Sequence, residues 1–149
     1  YRVIPGVSSV FAAAAAMKKE FTLPEVSQTL ILTRLGGRTP VPEKEQLASL
    51  AQHQASMAIF LSVQEIGEVV KELKKGYPID TPVAIVYRAS WPDEQILEGT
   101  LATIEAKVKE AGIRKHAQIL VGDFLNHHGS RSKLYDPEFT HEYRQGRSI

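Results

Sequence analysis

Two short runs in the chain are continuously apolar, Met57-Ala58-Ile59-Phe60-Leu61 and Val83-Ala84-Ile85-Val86-Tyr87. Neither alternates with polar residues, so each suits a central strand covered on both faces. Thr29-Leu30-Ile31-Leu32-Thr33-Arg34 has the same length and character, and Gly36-Gly37 ends it with a flexible turn. Shorter strands are expected over 96–100, beyond the loop 89–95, and over 118–121, closed by Gly122. Helical spacing fills the intervals. Ser8 or Ser9 can cap a helix running from Phe11 through the alanines to Met17. Pro40 and Pro42 stand before Glu43 and Glu45, the order in which proline opens a helix and acids favour its N-terminal end; that helix is expected to reach about His53. Ser62-Val63-Gln64-Glu65 matches a capping box, followed by Ile66, Val69, Val70 and Leu73 at helical spacing and a basic stop at Lys74-Lys75-Gly76. Leu101, Ile104 and Val108 mark a last long helix ended by Gly112.

Strands alternating with helices predict an α/β fold, a mixed, mostly parallel sheet of about five strands with helices on its faces. The short link between 83–88 and 96–100 permits one hairpin. The expected core, residues 1–125, ends near Leu125, and 126–149 reads as a polar tail or arm; Leu134, Tyr135, Phe139 and Tyr143 favour the arm.

Composition changes this picture little. The 149 residues are 43% apolar and 23% charged, which suits one globular domain. Eighteen basic and seventeen acidic residues leave a formal charge of +1, so nothing general attracts nucleic acid or an anionic membrane. There is no cysteine, which removes disulfides and thiolate chemistry and is compatible with a reducing cytoplasm. No apolar run approaches the roughly 20 residues that span a bilayer. The opening Tyr1-Arg2-Val3-Ile4-Pro5-Gly6 lacks an initiator methionine and reads like the end of a strand or linker, which suggests a fragment.

No GxGxxG, GxxxxGK[ST], GxSxG or HExxH occurs, so kinase, hydrolase and zinc-protease readings lack support. His127-His128 with Asp123 lacks a third ligand at convincing spacing, and no metal site is expected. Arg34-Leu35-Gly36-Gly37-Arg38 puts two guanidinium groups on a loop at a strand end, which suits either a carboxylate grip or an ordinary polar loop. Tyr87-Arg88-Ala89-Ser90-Trp91-Pro92-Asp93-Glu94 follows a buried strand and holds the only tryptophan. It suits either a turn with a packed indole or a place where small Ala89 lets a flat ligand near the backbone.

Several stretches together carry a family resemblance: Val3-Ile4-Pro5-Gly6-Val7-Ser8-Ser9-Val10-Phe11, Gly37-Arg38-Thr39-Pro40-Val41-Pro42-Glu43, the Trp91 stretch above, Gly112-Ile113-Arg114-Lys115 and Arg131-Ser132-Lys133-Leu134-Tyr135-Asp136. The chain resembles, over nearly its whole length, the C-terminal domain of the tetrapyrrole methylase family. The GRTPVPE, WPDE and RSKLYD stretches are similar to members that methylate carbon 11 of cobalt-precorrin-4 or of metal-free precorrin-4 in cobalamin biosynthesis.

The resemblance implies an S-adenosylmethionine-dependent methyltransferase of two α/β domains. The donor, leaving as S-adenosylhomocysteine, would lie between the domains and the tetrapyrrole in an adjoining trough, in a cytoplasmic homodimer. It implies donor contacts at Pro5, Ser8, Ser9, the main chain of Leu61, and Ala89. The many carboxylates of the substrate would give Arg34, Arg38 and Arg88 work as local cations. No residue is singled out as a general base. The family's N-terminal domain, which carries the rest of the donor pocket, is not in this sequence, so the chain alone is expected to be inactive. A non-catalytic ligand-binding or dimerisation module, or a methylase acting at another carbon, are the competing readings.

Overall fold

The computed structural model describes residues 1–126 and 136–146. The first helix, α1 (Ser9–Met17), begins where the Ser8 hydroxyl accepts from the Val10 amide at 3.3 Å and closes on Lys18 in the left-handed region. Strand β1 (Leu30–Arg34) comes next. Residues 43–45 then form a single 3-10 turn, and α2 (Leu47–Ala51) starts only after Gln46, which is extended with ψ 146°. The helix expected from Pro42 to His53 is thus broken in two. β2 (Ser56–Phe60) and α3 (Ile66–Leu73) follow, then the hairpin of β3 (Pro82–Tyr87) and β4 (Gln95–Thr100), the short α4 (Ile104–Glu110) and β5 (Ala117–Val121). α4 has seven residues and is not the long helix expected.

The capping box fails for a specific reason. The Ser62 hydroxyl accepts from the Leu35 amide at 2.9 Å and donates to the Phe60 carbonyl at 2.6 Å, so it ties the loop after β1 to the end of β2. No side chain caps α3, and a 3-10 turn over 63–65 leads into it. At its other end two glutamines of the α2–β2 connection serve α3: Gln52 donates to the Lys75 carbonyl and Gln54 to the Gly76 carbonyl, both at 2.8 Å. Glycine is needed at 76, because a Cβ there would lie 2.4 Å from the Ala51 carbonyl carbon.

The five strands lie in the order β1-β2-β5-β3-β4. Only β1 and β2 pair in parallel; β2 with β5, β5 with β3 and β3 with β4 are antiparallel, so the sheet is mixed but not mostly parallel. The hairpin explains the difference. It reverses the chain once, so α4 starts at the opposite end of the sheet and delivers β5 in the direction of β4. The helical crossover through α3 keeps β3 aligned with β2 but leaves a one-strand gap, which β5 fills. Met57, Ile59, Ile85, Ile119 and Val121 face α2, α3 and α4, meeting Leu47, Ile66, Val69, Leu73, Ile104 and Val108. Ala58, Ala84, Val86 and Leu120 face α1, where Val10, Ala13 and Ala14 pack with Phe21, Leu23 and Phe124. Alanines on both sides of that contact let helix and sheet approach closely. Phe124 and Leu125 close this core. Of the expected arm, residues 136–146 form a small turn bridged between His141 and Arg144, while His127, His128 and the 131–135 stretch lie outside the described residues.

The Tyr77 hydroxyl donates to the Ala55 carbonyl at 2.5 Å, and burial, aided by the nearby Asp123 charge, pushes its pKa well above the ordinary tyrosine range. A raised folded-state value gives stability that is present below about pH 10 and lost as pH climbs through the folded value. Tyr77→Phe should therefore cost about 1 kcal/mol at neutral pH. In urea unfolding, its deficit against the unaltered protein should shrink above about pH 10; a deficit constant with pH would contradict this assignment.

Candidate functional site

β1, β2 and β3 run the same way, so their carboxyl ends share one edge of the sheet, and β5, running against them, brings its first residues to that edge. In open α/β sheets this is where ligands collect. The backbone is unusual here. Among the described residues seven non-glycines have positive φ, and four of them cluster at this edge: Leu61 (53°), Arg88 (47°), Ser90 (71°) and His116 (57°). For a leucine or arginine the left-handed region is strained, and such strain collects where a main chain must present itself to a ligand. Leu61 is 90% exposed although it follows a strand that is almost wholly buried.

Four of the five residues expected to hold a donor come to this edge. Ser8 and Ser9 open α1, and the Ser9 hydroxyl donates to Gln118 Oε1 at 3.2 Å, while Gln118 Nε2 donates to the Ile59 carbonyl at 2.9 Å. Because Gln118 pairs in register with Val86 of β3, this chain of bonds brings α1, β2, β5 and β3 together. Leu61 follows β2 directly, and half-buried Ala89 lies two residues past the end of β3. Pro5 stays exposed in the irregular lead-in to α1. Gln118, only 4% exposed, is the functional candidate that sequence reasoning missed; the signal was a polar residue at the head of the apolar run Ile119-Leu120-Val121.

The three arginines separate. Arg34 folds onto its own loop and donates to the Thr39 carbonyl at 2.9 Å and to the Leu35 and Pro40 carbonyls at 3.3 Å. Arg88 pairs with Asp93, and its guanidinium lies 5.1 Å from the Tyr87 ring centre and 5.2 Å from that of Trp91. Its Nε is buried without a hydrogen-bond partner. The amide of Ser90 donates to Glu94 at 2.7 Å, that of Trp91 to the Arg88 carbonyl at 2.9 Å and that of Glu94 to the Trp91 carbonyl at 3.1 Å. The 88–94 loop is therefore braced from within, and both Arg34 and Arg88 shape loops. Arg38 is exposed at a loop tip, with no hydrogen bond or ion pair among the described residues.

Among the described residues two concavities stand out. One of about 650 Å³ lies between the start of α3 and the end of α4, lined by residues 63–67 and 112–114 with Glu105, Val108 and Lys109. One of about 520 Å³ lies at the far end of β1 and β2 around His53. Neither is lined by Ser8, Ser9, Leu61 or Ala89. No group of three potential metal ligands occurs among the described residues, and no helix there is long and apolar enough to cross a membrane.

In fold this chain is an α/β domain with helices on both faces of a mixed five-stranded sheet, a class whose ligands sit at the carboxyl ends of the strands. The profile of the Tetrapyrrole (Corrin/Porphyrin) Methylases matches residues 1–105, and the chain belongs to that family. The cobalt-precorrin-4 C(11)-methyltransferase of Methanocaldococcus jannaschii is 61% identical over 145 residues, 96% of this chain and 56% of that protein. The X-ray structure of a cobalt precorrin-4 methyltransferase, a cobalamin biosynthetic enzyme, superposes with a TM-score of 0.80 at 50% identity, covering 83% of this chain and 52% of that one. A uroporphyrin-III C-methyltransferase of Thermus thermophilus, solved with S-adenosylhomocysteine, shares the fold at 23% identity and a TM-score of 0.64, covering 83% and 53%. The chain spans about half the length of the curated relatives it matches.

Breaking the brace with Arg88→Leu should loosen residues 88–94 while costing about 1 kcal/mol of stability, since a half-exposed cation and its stacked rings contribute little more. The fluorescence of Trp91, the only tryptophan, reports the change; an unaltered emission spectrum would show that Arg88 does not hold the indole.

Proposed function

We propose that this chain is the C-terminal half of a methyltransferase that moves a methyl group from S-adenosylmethionine to carbon 11 of cobalt-precorrin-4 in cobalamin biosynthesis. The observation that carries the reading is the 61% identity, along 96% of the chain, to a protein of that description. The carboxyl edge of the sheet fits the donor. Ser9 offers an exposed hydroxyl, Leu61 a left-handed main chain clear of its strand, and Ala89 a side chain small enough for a flat base to reach the backbone. Bound there, S-adenosylmethionine would supply the electrophilic methyl group.

The part played by this chain's residues is positioning. Displacement at a sulfonium carbon is accelerated mainly by holding the two reacting centres in line and excluding water, and no side chain at the edge is needed as a covalent intermediate. Ser8 uses its hydroxyl to cap α1 and so fixes the approach of Ser9. Pro5 sets the lead-in that a second domain continues. Arg38 meets a substrate carboxylate, whereas Arg34 and Arg88 act through the loops they brace. Residues 1–125 are read as the folded domain and 126–149 as an arm or tail, of which 127–135 and 147–149 lie outside the described residues. The remaining half of the donor pocket belongs to an N-terminal domain, in agreement with a span of 56% of the relative's length. A homodimer and a cytoplasmic setting complete the reading and rest on family resemblance alone.

This division of labour has a direct test. In calorimetric titration with S-adenosylhomocysteine, the complete two-domain protein should bind at least about a hundredfold more tightly than this chain alone, since about 3 kcal/mol of lost contact is a factor of that size. Equal binding, or methyl transfer by this chain alone, would overturn it.

A further inference from the structure

We propose that Gln118 is a positioning residue that makes the Ser9 hydroxyl an obligate hydrogen-bond acceptor for the methyl donor; this rests on the donor-site reading above. The argument begins with an amide that has no freedom to turn. Gln118 is 4% exposed and sits on the α1 face of β5, and its Nε2 donates to the Ile59 carbonyl at 2.9 Å. A carbonyl oxygen can only accept, so the NH₂ group must face Ile59 and the amide oxygen must face the other way. That oxygen takes the Ser9 hydroxyl at 3.2 Å. A serine hydroxyl has one proton to give. With that proton spent on Gln118, Ser9 shows the open edge its lone pairs only.

Two consequences follow for recognition. The group that meets Ser9 has to be a donor, a sugar hydroxyl or an ammonium, and a carboxylate is refused. Ser8 is set differently: its oxygen accepts from the Val10 amide at 3.3 Å at the start of α1, a bond that does not use its proton. The same amide also joins the first turn of α1 to the main chain two residues before Leu61. The two segments that meet the nucleoside are therefore held in one arrangement by a single buried side chain.

The test is S-adenosylhomocysteine titration of the complete protein carrying Ser9→Ala, Gln118→Met, or both, with thermal unfolding run alongside. Each single change should weaken binding roughly five- to tenfold, the effect of one hydrogen bond, and the double variant should bind no more weakly than the worse single one. Multiplying losses, or Gln118→Met binding normally while Ser9→Ala binds weakly, would overturn the positioning role. Normal binding by Ser9→Ala would overturn the donor-site reading itself.

If Gln118→Met does not fold, Gln118→Glu keeps the shape. Its ionised carboxylate faces the Ile59 carbonyl with no proton to give, and burial favours the neutral acid. Protonated, it donates to Ile59 and accepts from Ser9 as glutamine does. Affinity relative to the unaltered protein at the same pH should then recover as pH falls, and a ratio that does not change with pH would overturn the proposal.

Discussion

β5 enters the sheet between β2 and β3 and runs against both. That one constraint arranges the rest of the candidate site. Had β5 run parallel to its neighbours, its last residues would lie at their carboxyl ends and Gln118 would sit at the far side of the domain. Because the β3–β4 hairpin reverses the chain and α4 carries it back, the first residues of β5 arrive beside the last residues of β2 and β3. A polar side chain at the start of an otherwise apolar strand can then reach α1 on one side and the end of β2 on the other.

The edge so formed combines stiffness with openness. Ser62 ties the loop after β1 to the end of β2, Arg34 gathers the carbonyls of its own loop, and the Arg88–Asp93 pair with its two rings closes the loop after β3. On sequence Ser62 looks like a cap and Arg34 and Arg88 like ligand contacts, and all three hold backbone. At this edge Leu61 and Ser9 stay exposed and Ala89 half-buried. Preorganised backbone with little charge suits a neutral nucleoside bound by shape and a few directed hydrogen bonds.

Much of this was legible in the sequence. The apolar runs at 57–61 and 83–87 located the two strands that define the edge to within a residue, and the resemblance of the proline-glycine, GRTPVPE and WPDE stretches pointed to the family that the profile match then showed. What sequence could not show depends on long-range partners. The direction of β5 depends on which strand it lies beside, and local periodicity does not record that. The Ser62 capping box was a sound local pattern overruled by the Leu35 amide, 27 positions away. Arg88 and Asp93 stand five residues apart in a loop, where no periodic spacing marks an ion pair. Gln118 gave a signal, polarity within a buried strand, whose meaning appears only once Ser9 and Ile59 are beside it.

The central claim is that the carboxyl edge of the sheet, and not the larger groove between α3 and α4, receives the methyl donor. Backbone hydrogen exchange in the complete protein, with and without S-adenosylhomocysteine, tests it most directly. The account predicts slowed exchange at Ser9, Leu61 and Ala89; protection confined to residues 63–67 and 112–114, with those three amides unchanged, would contradict it.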